Sequence, residues 1–155
     1  MSEQQANVER KDFAKDFQLE REDWTEKIRV LSIRMKNIKE LAEVQVELYS
    51  GRQMLLELSS KLGQVMVKLN SKYRRDKAER LKYYSESVQI KYGANEKTPL
   101  IEGDLSELKE RMDMVDGQIS FFNETMKTVD HMLCGVKSRI ALEEYLRSGA
   151  VKNNY

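Results

Sequence analysis

The sequence predicts an all-α fold, built from long antiparallel helices with coiled-coil packing that assemble into a homo-oligomeric helical ring. Three observations predict it. Pro99 is the only proline and Gly51 the first glycine, so little in the first half of the chain can stop a helix. Apolar residues recur at steps of three and four over most of the 155 residues, which is the period of one helix face. A hairpin of long helices offers little three-dimensional core, so other copies of the chain are expected to cover the surplus apolar stripes. A monomer whose three helices fold back on one another is the competing arrangement.

The first expected element is an acidic helix within residues 1 to 48, with 9 Lys/Arg against 11 Asp/Glu. Phe13, Phe17, Trp24, Ile28, Leu31, Met35, Ile38 and Ala42 mark one continuous face of it. Residues 49 to 92 form a basic helix, with 10 Lys/Arg against 4 Asp/Glu. Its seam of Leu55, Leu58, Leu62, Val65 and Leu69 lapses and then resumes at Leu81, Tyr84 and Val88. Residues 93 to 104, with two glycines, an Asn and Pro99, read as a loop, and Gly93 is expected to end the preceding helix in a left-handed turn.

Asp104 followed by Glu107 fits a capping box and starts a third helix over residues 105 to 148. Leu105, Leu108, Met112, Val115, Ile119, Phe122, Met126, Val129, Leu133, Val136 and Ile140 alternate steps of three and four along it. Five such heptads are coiled-coil behaviour, and these residues are assigned to oligomerisation. Phe121, Met132, Leu142, Tyr145 and Leu146 widen the face beyond a two-stranded seam. Residues 149 to 155 are a tail. Residues 93 to 155 carry 8 Lys/Arg against 11 Asp/Glu, so one basic third lies between two acidic ones.

Composition narrows the function classes. The lone Cys134 cannot form an internal disulfide, which points to a reducing compartment such as the cytoplasm, or the host-cell cytoplasm if the chain is phage-encoded. No apolar run suits a membrane span or a secretory leader, so no membrane partner is expected. His131 has no second histidine or cysteine cluster beside it to hold a metal. No glycine-rich phosphate loop is present. Cys134, on the heptad-rich face, is expected to be buried and inert. A chain that is not an enzyme, and needs no cofactor, is expected.

The segment "SKYRRDKAERLKYYSES", residues 71 to 87, is the most distinctive stretch. On a helix Tyr73, Lys77, Arg80 and Tyr84 share one stripe, two cations between two rings, and Lys72, Arg74, Arg75 and Lys82 flank it. Cations suit phosphates, and flat rings suit unpaired bases, so the set suits single-stranded nucleic acid. Two bland readings compete. Asp76 and Glu79 can pair with Arg80 and Arg75 along the helix. The whole segment can also complement the acidic thirds of neighbouring copies.

"RLKYYS" at 80 to 85, "DLSELK" at 104 to 109 and "CGVKSRIALEEYLRSG" at 134 to 149 resemble, in order and rough spacing, the UvsY family of phage recombination mediators. "LYSGR" at 48 to 52 belongs to the same pattern. The resemblance covers residues 48 to 149 and leaves roughly the first 40 unassigned. It implies heptameric helical rings that bind single-stranded DNA, loosen the single-strand-binding protein on it and help a RecA-like recombinase to load, without catalysis. It places Arg80, Tyr83 and Tyr84 at the DNA, with Lys77 and Lys82 nearby, and adds Lys137 and Arg139 from "KSR". A coiled-coil scaffold and an RNA-binding helical module remain the alternatives.

Overall fold

The computed structural model describes residues 3–87 and 92–152. They are helical, with no strand among the described residues. Helix α1 spans Glu3–Arg34, a 3-10 turn Ile38–Glu40 follows, and α2 spans Leu41–Lys82. A π-helical turn at Tyr83–Ser87 precedes α3, Ala94–Asp104, and α4, Ser106–Lys152. The all-α expectation holds, and two boundaries differ. Val88, expected to continue the α2 seam, lies outside the described residues.

The first difference is a break after Arg34, where the sequence reads as one helix through Ala42. Neither Gly nor Pro causes it. Asn37 adopts an extended backbone (φ −92°, ψ 112°) and its side chain accepts from the Lys39 amide at 3.2 Å, which caps the 3-10 turn. Arg34 then bridges the corner, 2.8 Å from Glu40 and 2.7 Å from Glu47. Past the corner the buried side changes: Ile38 and Ala42, which continue the expected face, are exposed, and Leu41, Val44 and Leu48 are buried instead. The expected boundary between residues 48 and 49 therefore falls inside one helix, α2.

The second difference is that residues 94 to 104 are helical although they carry Pro99. Gly93 caps the start of α3 with φ −65° and ψ 161°, and its amide donates to Glu96 Oε2 at 2.9 Å. It thus begins a helix in extended conformation and does not end one in a left-handed turn. Asp104 is the last residue of α3, and a single residue, Leu105, separates α3 from α4. The expected tail also joins α4, which runs to Lys152.

The chain divides into two compact units. The first joins the described residues up to Leu58 with those from Phe121 onward. In it α2 runs antiparallel to α4, since Arg52 pairs with Asp130 at 2.7 Å and Lys137 lies 5.9 Å over the Tyr49 ring. Two glycines of this unit leave room for a methyl at ordinary contact distance. A Cβ at Gly51 would touch the Trp24 ring at 3.5 Å, and one at Gly135 would meet the Met35 methyl at 3.4 Å. Trp24, Leu31, Leu41, Val44, Leu48, Leu55, Phe122, Val129, Leu133 and Val136 form its core.

The second unit, Ser59–Ser120, buries Ile101, Leu105, Leu108 and Val115. Its stretch of α2 contributes only half-buried side chains, Leu62, Met66, Leu69 and Tyr73.

The seam assigned to oligomerisation requires a correction. Leu105, Leu108, Val115, Phe122, Val129, Leu133 and Val136 are buried within the single chain, while Met112, Ile119, Met126 and Ile140 are half-buried. Their periodicity reports packing against the chain's own helices, which bury the same stripe a partner would. Leu142, Tyr145 and Leu146 are the exposed part of the widened face, at 56%, 73% and 55%.

Candidate nucleic-acid interface

The basic segment of α2 has two sides. Seven-residue and three-and-four steps carry the half-buried seam from Leu62, Met66 and Leu69 straight into Tyr73, Lys77, Arg80 and Tyr84. Of the stripe expected to face a nucleic acid, Tyr73 and Tyr84 are half-buried on that side, while Lys77 and Arg80 are exposed beside them. Its polar ends find partners on α3. The Tyr84 hydroxyl donates to Asp104 Oδ2 at 3.0 Å, and Arg80 Nε lies 3.5 Å from the same oxygen. Donation to that carboxylate, with lesser burial, pushes the Tyr84 phenol above its ordinary pKa.

The neighbouring contacts fasten this end of the unit. Lys97 Nζ donates to Ser85 Oγ at 3.2 Å. Tyr83 packs edge-on against Tyr84 at 5.3 Å, and Tyr84 against Tyr92 at 6.0 Å. Lys77 Nζ lies 5.8 Å over the Tyr73 ring, within cation–π range. Arg80 is thus paired with Asp104 and not with Asp76, and Arg75 meets Asp76 at 3.6 Å where Glu79 was expected.

The outward side is a different set. Lys61, Lys68, Lys72, Arg75 and Lys82 stand at steps of seven, four, three and seven, so they share one face, and all are exposed. At 1.5 Å per residue that ladder is about 30 Å long. Glu79 interrupts it. Lys72, Arg74 and Lys82 make no ion pair among the described residues. Tyr83, 48% exposed, offers a ring near its end. Sequence reading selected Lys72, Arg75 and Lys82 but missed Lys61 and Lys68. Their signal was the period of the charges, obscured because attention to local density stops at residue 71.

Two further candidate cations have partners inside the chain. Arg139 donates to the main-chain carbonyls of Met35 and Lys36, where it caps the end of α1. Lys137 lies over Tyr49. Both contacts lie within the first unit, and residue type and a position off the apolar face could not disclose them; Lys137 stays exposed. Cys134, expected to be buried, is exposed, because Leu133 takes the seam position beside it.

The first unit also holds an open apolar groove of about 260 Å³ lined by Trp24, Thr25, Ile28, Phe121, Thr125 and Thr128. Among the described residues no cluster of His, Cys, Asp and Glu could hold a metal ion, and no helix is long and apolar enough to cross a membrane. No protein-family profile, curated protein or solved structure matches this chain.

Proposed function

We propose that the protein is a non-catalytic recombination mediator that binds single-stranded DNA along α2, disturbs a single-strand-binding protein on it and assists loading of a RecA-like recombinase. The observation that carries the DNA-binding step is the exposed ladder of Lys61, Lys68, Lys72, Arg75 and Lys82. Five cations on one helix face attract a polyanion and gain from release of its counterions, whatever its sequence. Tyr83 supplies a stacking surface at the end of the ladder. The mediator step rests on the resemblance of residues 48 to 149 to the UvsY family.

Ring assembly belongs to the same proposal. With the α4 seam buried inside the chain, it falls to exposed apolar side chains such as Leu142, Tyr145 and Leu146. Assembly would place several ladders on one strand, so that modest sites act together through effective concentration.

The test is binding of a fluorescent single-stranded oligonucleotide across a salt series, with a Lys68→Glu, Lys72→Glu double variant beside the native chain. The reading expects salt-sensitive binding that the variant loses while its helicity is unchanged. Equal binding by the two proteins, or none at low salt, would sink it. The scaffold alternative, in which the basic third pairs with acidic thirds of neighbouring copies, is favoured by Lys72, Arg74 and Lys82, which make no ion pair among the described residues, and it expects added DNA to change nothing.

A further inference from the structure

One oxygen of Asp104, Oδ2, serves both Tyr84 and Arg80. A hydroxyl donor and a guanidinium converging on one anionic oxygen are what a strand phosphate would require. We propose that Asp104 is an internal stand-in for a phosphate. It occupies the Arg80–Tyr84 pair and keeps it out of polyanion binding until an incoming phosphate displaces the carboxylate. This rests on the reading of α2 as a single-strand site and describes how that site is regulated.

The surroundings fit such an exchange. α3 is anchored by buried Ile101, with buried Leu105 just beyond its end, so peeling the helix away would expose apolar surface. The exchange needs only a side-chain rotation. An open pocket of about 380 Å³, lined by Asp76, Glu79, Arg80, Tyr83, Asp104 and Leu105, lies beside the ion pair. The Arg80 side chain is 50% exposed, so an anion can reach the guanidinium without disturbing the core. Asp76 and Glu79 add like charge at the pocket wall and reinforce the exclusion. The resting chain therefore presents its outward ladder alone, and a phosphate at Arg80 adds a contact on the second side of the helix.

Asp104→Asn removes the competing charge while keeping an acceptor for Tyr84. Oligonucleotide titrations across a salt series, on the full chain, compare native, Asp104→Asn and the Asp104→Asn, Arg80→Gln double variant. The expected result is tighter binding by Asp104→Asn, with a log–log salt slope steeper by about 0.7, the share of one phosphate on a single strand. The double variant loses that gain. Asp104→Ser, which also removes the charge and leaves Arg80 and Tyr84 intact, gives a gain of the same sign and serves if Asp104→Asn loses helicity. Unchanged affinity and slope in both single variants would overturn the inference while leaving the single-strand reading intact. No binding by any of the proteins at low salt would overturn both.

Discussion

Arg139 donates from its guanidinium to the main-chain carbonyl of Met35, so a cation of α4 caps the end of α1. Its second donor reaches the Lys36 carbonyl at 3.3 Å. Helix ends leave carbonyls without internal partners, and a charged donor satisfies them more strongly than a neutral one. Arg139→Met retains the aliphatic stem and removes the cap. Urea unfolding is expected to show a loss of about 2 kcal/mol. Affinity for a single-stranded oligonucleotide is expected to stay at the native value, since this side chain is already engaged within the first unit.

The α4 seam supplies a second prediction. Phe122 is 1% exposed and Leu142 is 56% exposed, although both belong to the same apolar face in the sequence. Phe122→Ala leaves a cavity in the core and is expected to cost about 3–5 kcal/mol. Leu142→Ser is expected to change the stability of the isolated chain by no more than about 0.5 kcal/mol. Chemical denaturation at a dilution that suppresses self-association checks the order. Equal losses would mean that the outer side chain is covered as fully as the inner one.

These contrasts show what periodicity conveys. The three-and-four rhythm identifies helices and much of their apolar sides: Trp24, Leu31, Leu55, Phe122 and Val136 became core, while Ile38, Val65 and Leu81 of the same rhythm are exposed. Rhythm does not say which surface covers a stripe, so the run from Leu105 to Ile140 looked like an interface between copies. Nor does it mark a corner closed by Asn37 and Arg34 without Gly or Pro. Pro99 misled in the opposite direction, because α3 tolerates it inside a helix. At the candidate site the sequence located the basic third, but the pairing of Arg80 and Tyr84 with Asp104 joins residues at least 20 positions apart, which no local spacing discloses. Lys61 and Lys68 required reading charge, like apolarity, as a periodic property.

The corner between α1 and α2 predicts an acid-sensitive step. Donation from Arg34, and secondarily from Asn37, holds the Glu40 carboxyl below its ordinary pKa of 4.5. A carboxyl with a depressed folded-state pKa contributes stability that is present above the unfolded value and lost as pH falls through the folded one. The native chain should therefore lose this increment progressively below about pH 4.5. Arg34→Met should already lack it at neutral pH. Unfolding midpoints measured from neutral pH downward are expected to differ between the two proteins and then to converge. A gap that persists at low pH would assign the effect of Arg34 to packing of its stem.

Gly63 lies within α2, and a Cβ added there would meet nothing within 4 Å. No positive φ occurs at any described glycine, so the position demands neither special backbone geometry nor close approach. Glycine inside a helix loses more conformational freedom on folding than alanine. Gly63→Ala should accordingly raise stability by about 0.5–1 kcal/mol, seen as a higher midpoint in thermal or urea unfolding with unchanged oligonucleotide affinity. Gly51→Ala provides the comparison. Its new methyl would lie 3.5 Å from the Trp24 ring, an ordinary van der Waals distance, so the same propensity gain comes with added packing in the first unit. A loss at Gly63 together with a gain at Gly51 would contradict the open space around residue 63, because a methyl that meets no atom of its own chain has nothing there to strain.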